Sequence, residues 1–189
     1  MTPTTTGWKP VQGEFIPTAP GWKLSEQLPS APGASVWRAI KRSDEKPDPP
    51  TRLSRLYGLP VGSTAVFVFR PQQGENGRRA IEREAALFLR AMESHAPLNA
   101  LARFVDFQTQ TAPWFLARED AEGKPLPDWL ESPAARMPAH KRLRLLAPTA
   151  QTIHALHRTG VAVGDFPPET LLVENGARPR KLVKIMGLS

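Results

Sequence analysis

The amino-acid sequence predicts a fold of the mixed α+β class. Residues 65–69 form an apolar run rich in β-branched and aromatic side chains, which is typical of a buried strand. Residues 78–93 place apolar side chains at helical spacing, and residues 139–158 show a second long helical pattern. The apolar positions of the first helix are Ile81, Ala85, Phe88 and Met92. Strands and amphipathic helices along one chain together indicate the α+β class.

An antiparallel strand pair is predicted before residue 65. Residues 22–28 and 35–41 have the composition of strands, and Pro29 and Gly33 lie in the turn between them. Residues 43–63 then form a long polar loop that ends in an apolar segment, which we expect to dock on the sheet. The apolar members of this segment are Leu53, Leu56, Tyr57 and Leu59.

The remaining elements follow the first helix. Residues 101–108 and 113–118 predict two further strands joined by a short polar turn, which gives a sheet of five strands in all. Pro148 lies inside the second helical pattern, where its missing N–H removes a hydrogen bond and favours a kink. Residues 170–173 and 181–185 predict a hairpin near the end of the chain.

Composition limits the function classes. The chain has 189 residues, a net charge of +7 and no cysteine. The lack of cysteine fits a reducing compartment and excludes disulfide frameworks, thiolate zinc sites and a cysteine nucleophile. No stretch approaches the roughly 20 apolar residues of a membrane span, and the N-terminal residues lack the pattern of a signal peptide. The sequence therefore predicts a cytoplasmic protein without a membrane partner.

The positive charge is compatible with a nucleic-acid partner, because clustered Lys and Arg neutralise phosphates. Basic residues concentrate in residues 136–144 and 178–184. Neither cluster contains the interleaved aromatic residues that stack on bases. A solvated basic surface is therefore favoured, and a basic nucleic-acid-binding protein stays an alternative.

Three segments resemble motifs of the protein-kinase family, in the order in which that family carries them. Residues 160–172 resemble the catalytic loop, H-R-D-L-K-P-E-N, at the right distance after a long helix. The matching residues are Asp165, Pro168 and Glu169. Residues 119–123 are similar to the hinge of bacterial serine/threonine kinases, and residues 81–85 resemble the helix that supplies the glutamate partner of the ATP-binding lysine.

This resemblance implies a degenerate protein-kinase-like fold, with an antiparallel five-stranded small lobe, one long helix, and a truncated helical large lobe. Residues 1–20 are rich in Pro, Thr and Gly, which is typical of a flexible N-terminal tail. The small lobe is then expected over residues 21–118, with the loop 43–63 as an insertion. The hinge and a partial large lobe are expected over residues 119–189.

The nucleotide-binding motifs of the family are altered in this sequence. The glycines of its phosphate-binding loop are replaced by Pro29, Ala31 and Ala34. Its ATP-binding lysine corresponds to Arg70, whose guanidinium could still form a structural ion pair with Glu84. The resemblance thus implies a degenerate nucleotide cleft, and the residues that it assigns to this cleft are Val36, Val68, Arg70 and Glu84.

The catalytic and metal positions are altered as well. The metal-binding asparagine corresponds to Thr170, and the D-F-G aspartate to Ile185 or Lys184, depending on the alignment. The aliphatic and ammonium side chains at the D-F-G position provide no oxygen ligand for magnesium. Asp165 is the remaining candidate catalytic residue, either as a vestigial base or as a turn or capping residue.

These replacements predict a pseudokinase, a binding or regulatory module without phosphoryl transfer and without a metal. Its cleft is expected to be empty or to hold a ligand that is not turned over, such as ATP without magnesium. An atypical kinase or nucleotide transferase that uses Arg70, Glu84 and Asp165 is the alternative. The family covers the helix at 139–158 with later helices that this sequence does not contain. We therefore expect an exposed apolar surface there, and with it self-association, a protein partner or a longer parent chain.

Overall fold

The computed structural model describes residues 8–30, 33–45, 55–56, 58–70, 74–93, 98–163, 168–174 and 183–186. The backbone forms two compact units. The first consists of Met1–Ala85 and Arg103–Asp120, and the second of Ala86–Ala102 and Ala121–Ser189. The chain therefore leaves the first unit within its first long helix and returns to it for two strands before it ends in the second.

The first unit is built on an antiparallel sheet of six strands. The strands are β1 (Phe15–Ile16), β2 (Ala19–Leu28), β3 (Ser35–Lys41), β4 (Thr64–Phe69), β5 (Phe104–Gln108) and β6 (Phe115–Glu119). Their order across the sheet is β1-β2-β3-β4-β6-β5. β2 to β6 confirm the predicted strands, and β1 adds an edge strand to the five that the sequence predicted.

One face of this sheet carries an aromatic core. Side chains alternate along a strand, and Trp22, Phe67, Phe69 and Phe115 therefore point to the same side, where they are buried. The rings of Phe67 and Phe115 meet edge to face with centroids 5.0 Å apart, and those of Trp22 and Phe67 lie 5.5 Å apart. Burial of these large rings is the main source of stability in this unit.

Residues 8–20 do not form the flexible tail that their composition predicted. β1 pairs with β2, Ile16 is fully buried, and the Trp8 ring makes an edge contact with Phe69 at 5.3 Å between centroids. A strand of 2 residues is too short to show a periodic pattern, but one buried isoleucine and one tryptophan are enough to fix it on the sheet. Residues 1–7 lie outside the described residues.

The apolar segment before β4 docks on the sheet as predicted. Leu56 is fully buried in the aromatic core and Leu59 packs against it. The buried ammonium of Lys41 donates hydrogen bonds to Asp44 Oδ1 at 2.6 Å and to the Leu59 carbonyl at 2.5 Å. Lys41 therefore ties the start and the end of the loop to β3. The other predicted members of the segment, Leu53 and Tyr57, lie outside the described residues.

α1 (Gly74–Glu93) is the amphipathic helix predicted from residues 78–93. Its predicted apolar positions Ile81, Ala85 and Phe88 are buried, but the prediction for Met92 is wrong: it is 36% exposed, and Ala91 is buried instead. A helical face advances by three or four residues at each step. The position after Phe88 can therefore be either residue, and sequence spacing does not decide between them.

The second unit combines a three-stranded antiparallel sheet with two helices. Its elements are β7 (Gly123–Pro125), α2 (Leu126–Glu131), α3 (Ala139–Arg158), β8 (Leu171–Glu174) and β9 (Val183–Ile185). β8 and β9 pair as the predicted hairpin. β7 was not predicted, because a Gly-Lys-Pro sequence has no strand propensity and acquires its conformation by pairing with β8.

α3 has the bounds predicted for the second long helix, with Pro148 in its interior. Its buried residues are Thr149, Thr152 and Leu156. Leu143 and Leu146 are 67% and 41% exposed, and this confirms that part of the apolar surface of the helix is uncovered. No helix in the described ranges is both long and apolar enough to cross a membrane.

Candidate functional site

The face of the six-stranded sheet opposite the aromatic core carries valines and arginines, and is called the arginine face below. By the alternation of side chains along β3, β4 and β6, its members include Val36, Arg38, Val66, Val68, Leu116 and Arg118. Val36 and Val68 are direct partners across β3 and β4, and both belong to one buried apolar cluster with Val66. The structure therefore brings the two predicted valines together.

Arg70 and Glu84 form the predicted ion pair beside these valines. Arg70 directly follows β4, and its Nη2 atom lies 3.6 Å from Oε2 of Glu84 on α1. This distance is too long for a hydrogen bond, so the contact is an ion pair held by charge attraction. The two side chains are only 17% and 4% exposed, and burial of that degree strengthens the attraction over that of a surface pair.

Arg118 is the charged residue of this face that sequence reasoning missed. It pairs with Val66 of β4 and with Phe104 of β5, and it is 9% exposed. Burial lowers the pKa of the Arg118 guanidinium to about 10, and the negative charge of Glu84 opposes this shift. Within the described residues, the buried Arg118 Nε has no hydrogen-bond partner.

A sequence signal for Arg118 exists in the alternation of its own strand. In β6, Phe115 and Ala117 belong to the aromatic core. Residues 116 and 118 must then point to the other side of the sheet. An arginine in the fourth position of this strand, after three apolar residues, is thus expected on the face opposite the aromatic core.

Arg38 forms a second charged group on the arginine face. Its Nε donates a hydrogen bond to Asp120 Oδ2 at 2.8 Å, and its Nη1 donates another to Glu26 on β2. The hydrogen bond to Asp120 is the main reason why the pKa of Arg38 is raised, and burial opposes it. Asp120 lies in the segment that resembles a kinase hinge, so this bond ties that segment to β3.

This arrangement acts through the fixed positive charge of its arginines and not by proton transfer. Arg118 keeps its proton at neutral pH even with a pKa of about 10, and arginine in general does not act as a base. Arg70 and Arg118 both interact with the Glu84 carboxylate. The cluster therefore places two positive charges and one negative charge in a largely buried site. Such a site can stabilise one conformation of the protein or bind an anion.

The predicted catalytic and metal positions are only partly described. Asp165 and Ala31 lie outside the described residues. Ile185 is fully buried, and its backbone N–H donates to the Ala100 carbonyl at 2.6 Å. The carbonyl of Thr170 accepts a hydrogen bond from the Met186 N–H at 2.8 Å. In the part of the chain that the structure describes, no group of three or more His, Asp or Glu side chains could hold a metal ion.

Comparison with known proteins places the fold. No family model and no curated protein matches the chain. Among solved structures, the apo form of PpkA-294 superposes with a TM-score of 0.65 at 12% identity, over 96% of this chain and 61% of that one. The PknI kinase domain of M. tuberculosis superposes with a TM-score of 0.62 at 14% identity, over 96% of this chain and 62% of that one.

These comparisons concern the fold alone, because the identities are low. The chain spans about three fifths of the length of these two solved structures. The antiparallel sheet with its long helix α1, followed by the second unit, corresponds to the architecture predicted from the sequence motifs. The chain therefore has a protein-kinase-like fold of the α+β class, similar to that of the PknI kinase domain.

Proposed function

We propose that the protein is a pseudokinase, a binding or regulatory module that uses the kinase-like fold without phosphoryl transfer. The observation that carries this proposal is the environment of Glu84. Its carboxylate is 3.6 Å from the guanidinium of Arg70, and the buried guanidinium of Arg118 also interacts with it. The negative charge of Glu84 thus interacts with two arginines, whereas the family pairs this glutamate with one lysine.

Two arginines suit this position poorly for phosphoryl transfer. The reaction depends on positioning and on charge stabilisation by a lysine and by metal ions. A guanidinium is a wide planar fork, whereas an ammonium is a compact charge that fits among phosphate oxygens. The charge of Arg118 also interacts with Glu84. The cluster is therefore suited to hold α1 on the sheet rather than to position a triphosphate.

The metal positions agree with this proposal. The side chain at the Ile185 position is aliphatic and fully buried, and Thr170 replaces the metal-binding asparagine of the family. Magnesium requires near-octahedral oxygen ligands, which these two residues do not supply together. Val36, Val68, Arg70 and Glu84 are accordingly proposed as a degenerate nucleotide cleft, empty or occupied by a ligand that is not turned over, with no metal cofactor.

An assay of phosphate transfer with radiolabelled ATP and magnesium tests the proposal. We expect no autophosphorylation, no transfer to a generic protein substrate and no hydrolysis. Thermal unfolding with ATP, with and without magnesium, should show no magnesium-dependent rise in Tm. A ligand raises the Tm only when it binds the folded protein in preference to the unfolded chain. Turnover that is lost in Asp165→Asn would contradict the proposal and identify an atypical kinase or nucleotide transferase.

The matched variant for this test is Arg70→Lys. It restores the compact ammonium opposite Glu84 but leaves Arg118 in place, so we expect it to remain inactive. Transfer activity gained by Arg70→Lys alone would mean that one substitution separates the protein from an active kinase.

A cytoplasmic location is part of the same proposal, because a chain without cysteine fits a reducing compartment.

A further inference from the structure

The outward side of α3 carries an apolar stripe. Leu143, Leu146, Ala147 and Ala150 recur at helical spacing and are all exposed, and they are called the outer stripe below. Leu143 is 67% exposed and Leu146 is 41% exposed. Two leucines exposed to this degree on one helical face exceed the scattered single apolar residues of an ordinary surface.

The packing of α3 fixes which side is outward. Thr149, Thr152 and Leu156 are buried, and Thr152 Oγ1 accepts a hydrogen bond from the Ala100 N–H at 3.3 Å. These three residues follow one another by three and four positions, so they share one face of the helix. The outer stripe lies on the opposite side of the same helix.

The charge of α3 is entirely positive. The helix contains Lys141, Arg142, Arg144 and Arg158 but no Asp or Glu, and all four cations are exposed. In the described ranges of the chain, none of them belongs to an ion pair. Arg142 and Arg144 flank Leu143, so the first half of the outer stripe is bordered by positive charge.

We infer that the outer stripe of α3 is a docking site for an acidic amphipathic helix of a partner protein. The leucines provide apolar contact, the alanines allow a second helix to approach closely, and the flanking arginines would meet glutamates or aspartates of the partner. This inference deepens the proposed binding role of the module and rests on it.

A second copy of the chain, a membrane surface and nucleic acid fit the outer stripe less well. A second copy that docked stripe to stripe would bring two uniformly positive helices together, and like charges at an interface are repulsive. An anionic membrane surface favours bulky and aromatic side chains on the apolar side, whereas α3 has no aromatic residue and two of its stripe positions are alanine. Binding to nucleic acid would not explain the exposed leucines, because a contact with nucleic acid does not require them.

A pair of synthetic helical peptides tests the inference. Both peptides are roughly 21 residues, about six helical turns, with leucine at the same heptad positions; one carries glutamate at the outer positions and the other lysine. We expect the purified full chain to bind the acidic peptide in fluorescence anisotropy and not the basic one. Binding should weaken as salt is raised, because the flanking charges are exposed.

Two double variants on α3 and one double control variant test where the peptide binds. Leu143→Ser with Leu146→Ser should weaken binding of the acidic peptide by about tenfold or more. Its matched control is Val11→Ser with Val61→Ser, since these valines are 50% and 54% exposed but lie in the other unit; this control should bind normally. Arg142→Glu with Arg144→Glu should reverse the preference in favour of the basic peptide. Circular dichroism checks that each variant is folded.

The outcomes separate the inference from its alternatives. Equal binding of both peptides, no binding of either, or binding that the α3 variants leave unchanged would overturn it. Tighter binding to phosphatidylserine vesicles or to duplex DNA than to the acidic peptide would overturn it in favour of that partner class. A dimer in sedimentation that the α3 variants dissociate would overturn it in favour of a second copy.

Failure of this inference is distinguishable from failure of the proposed function. The phosphate-transfer assay is run on the same preparations. Phosphate transfer that Asp165→Asn abolishes contradicts the pseudokinase role whether or not peptide binds. An inactive protein that does not bind the acidic peptide keeps the pseudokinase role and overturns the docking site alone.

Discussion

The two faces of the six-stranded sheet are stabilised in different ways. The aromatic core buries Phe67, Phe69 and Phe115, and its stability comes from packing. The arginine face buries Arg118, whose charge interacts with that of the buried Glu84, and this attraction is offset by the cost of removing the charges from water. Truncating a side chain of the aromatic core must therefore lower the free energy of unfolding. A substitution on the arginine face can raise or lower it, depending on which charge is removed.

The largest effect is expected for Phe67→Ala in the aromatic core. Phe67 is fully buried and contacts the rings of Trp22, Phe69 and Phe115. Its truncation should lower the free energy of unfolding by about 4 kcal/mol, through lost apolar transfer and the cavity that is left. Urea denaturation measures this. The control Phe15→Ala, at a ring that is 51% exposed, should cost under about 1 kcal/mol.

The next largest effect is expected for Glu84→Gln. The substitution keeps the shape of the side chain but removes the negative charge that interacts with the buried guanidinium groups of Arg70 and Arg118. Breaking a buried ion pair in this way should lower the free energy of unfolding by about 3 kcal/mol. The matched control is Glu82→Gln on the same helix, whose carboxylate is 39% exposed and pairs with Arg78. It should cost no more than about 0.5 kcal/mol.

A double variant sharpens this second test. If Arg118 is one source of the cost, Arg118→Met should stabilise the Glu84→Gln variant by more than it stabilises the unsubstituted protein, because the buried guanidinium then lacks the favourable interaction with the Glu84 charge. Contacting residues show such coupling, whereas independent sites are additive. Strict additivity of the two substitutions would show that Arg118 and Glu84 do not interact, and would remove the central observation behind the proposed function.

The sequence predicted the aromatic core better than the arginine face for a physical reason. The run over residues 65–69 and the helical spacing of Ile81, Ala85 and Phe88 are local patterns, and burial reproduces them. The Arg70–Glu84 pair was predicted only because a family motif connects the two positions. Arg118 has no such motif, and its proximity to Glu84 depends on the register of β6 against β4, which no local pattern determines.

Local patterns also failed where a few side chains determine the structure. Residues 8–20 are held on the sheet by Trp8 and Ile16, although their composition is that of a tail. β7 follows from pairing with β8 rather than from its own propensity. In both segments the tertiary contact overrides the local preference, as strand propensities commonly allow.

The third prediction is a gain of stability, expected for Arg118→Met. Methionine fills a similar volume without a charge, and Glu84 keeps Arg70 as its partner. The free energy of unfolding should rise by about 1–2 kcal/mol at pH 7. A loss of stability would show that the attraction between Arg118 and Glu84 outweighs the cost of burial.

The pH dependence of this gain has a defined sign. The pKa of Arg118 in the folded protein is lowered from its ordinary value to about 10, so the unfolded chain binds this proton more tightly than the folded protein does. The cost of the buried charge is complete below about pH 10 and is relieved as the pH rises above that value. The advantage of Arg118→Met should therefore be constant between pH 7 and 9 and smaller near pH 11, as urea denaturation at each pH will measure.

The smallest effects are expected for the two carboxylates that bind Arg38. The Asp120 side chain is 10% exposed and the Glu26 side chain is 58% exposed, and water screens the second contact much more than the first. Asp120→Asn should lower the free energy of unfolding by about 1 kcal/mol, because a charge-assisted hydrogen bond in a mostly buried position is weakened. Glu26→Gln should cost under about 0.5 kcal/mol, and this small cost should vanish in roughly 1 M salt, where the Debye length falls to about 3 Å. Denaturation of both variants at low and high salt is the measurement. Equal costs for the two carboxylates, each insensitive to salt, would mean that burial does not set the strength of charge pairs on the arginine face, and the contrast between the two faces would then need another cause.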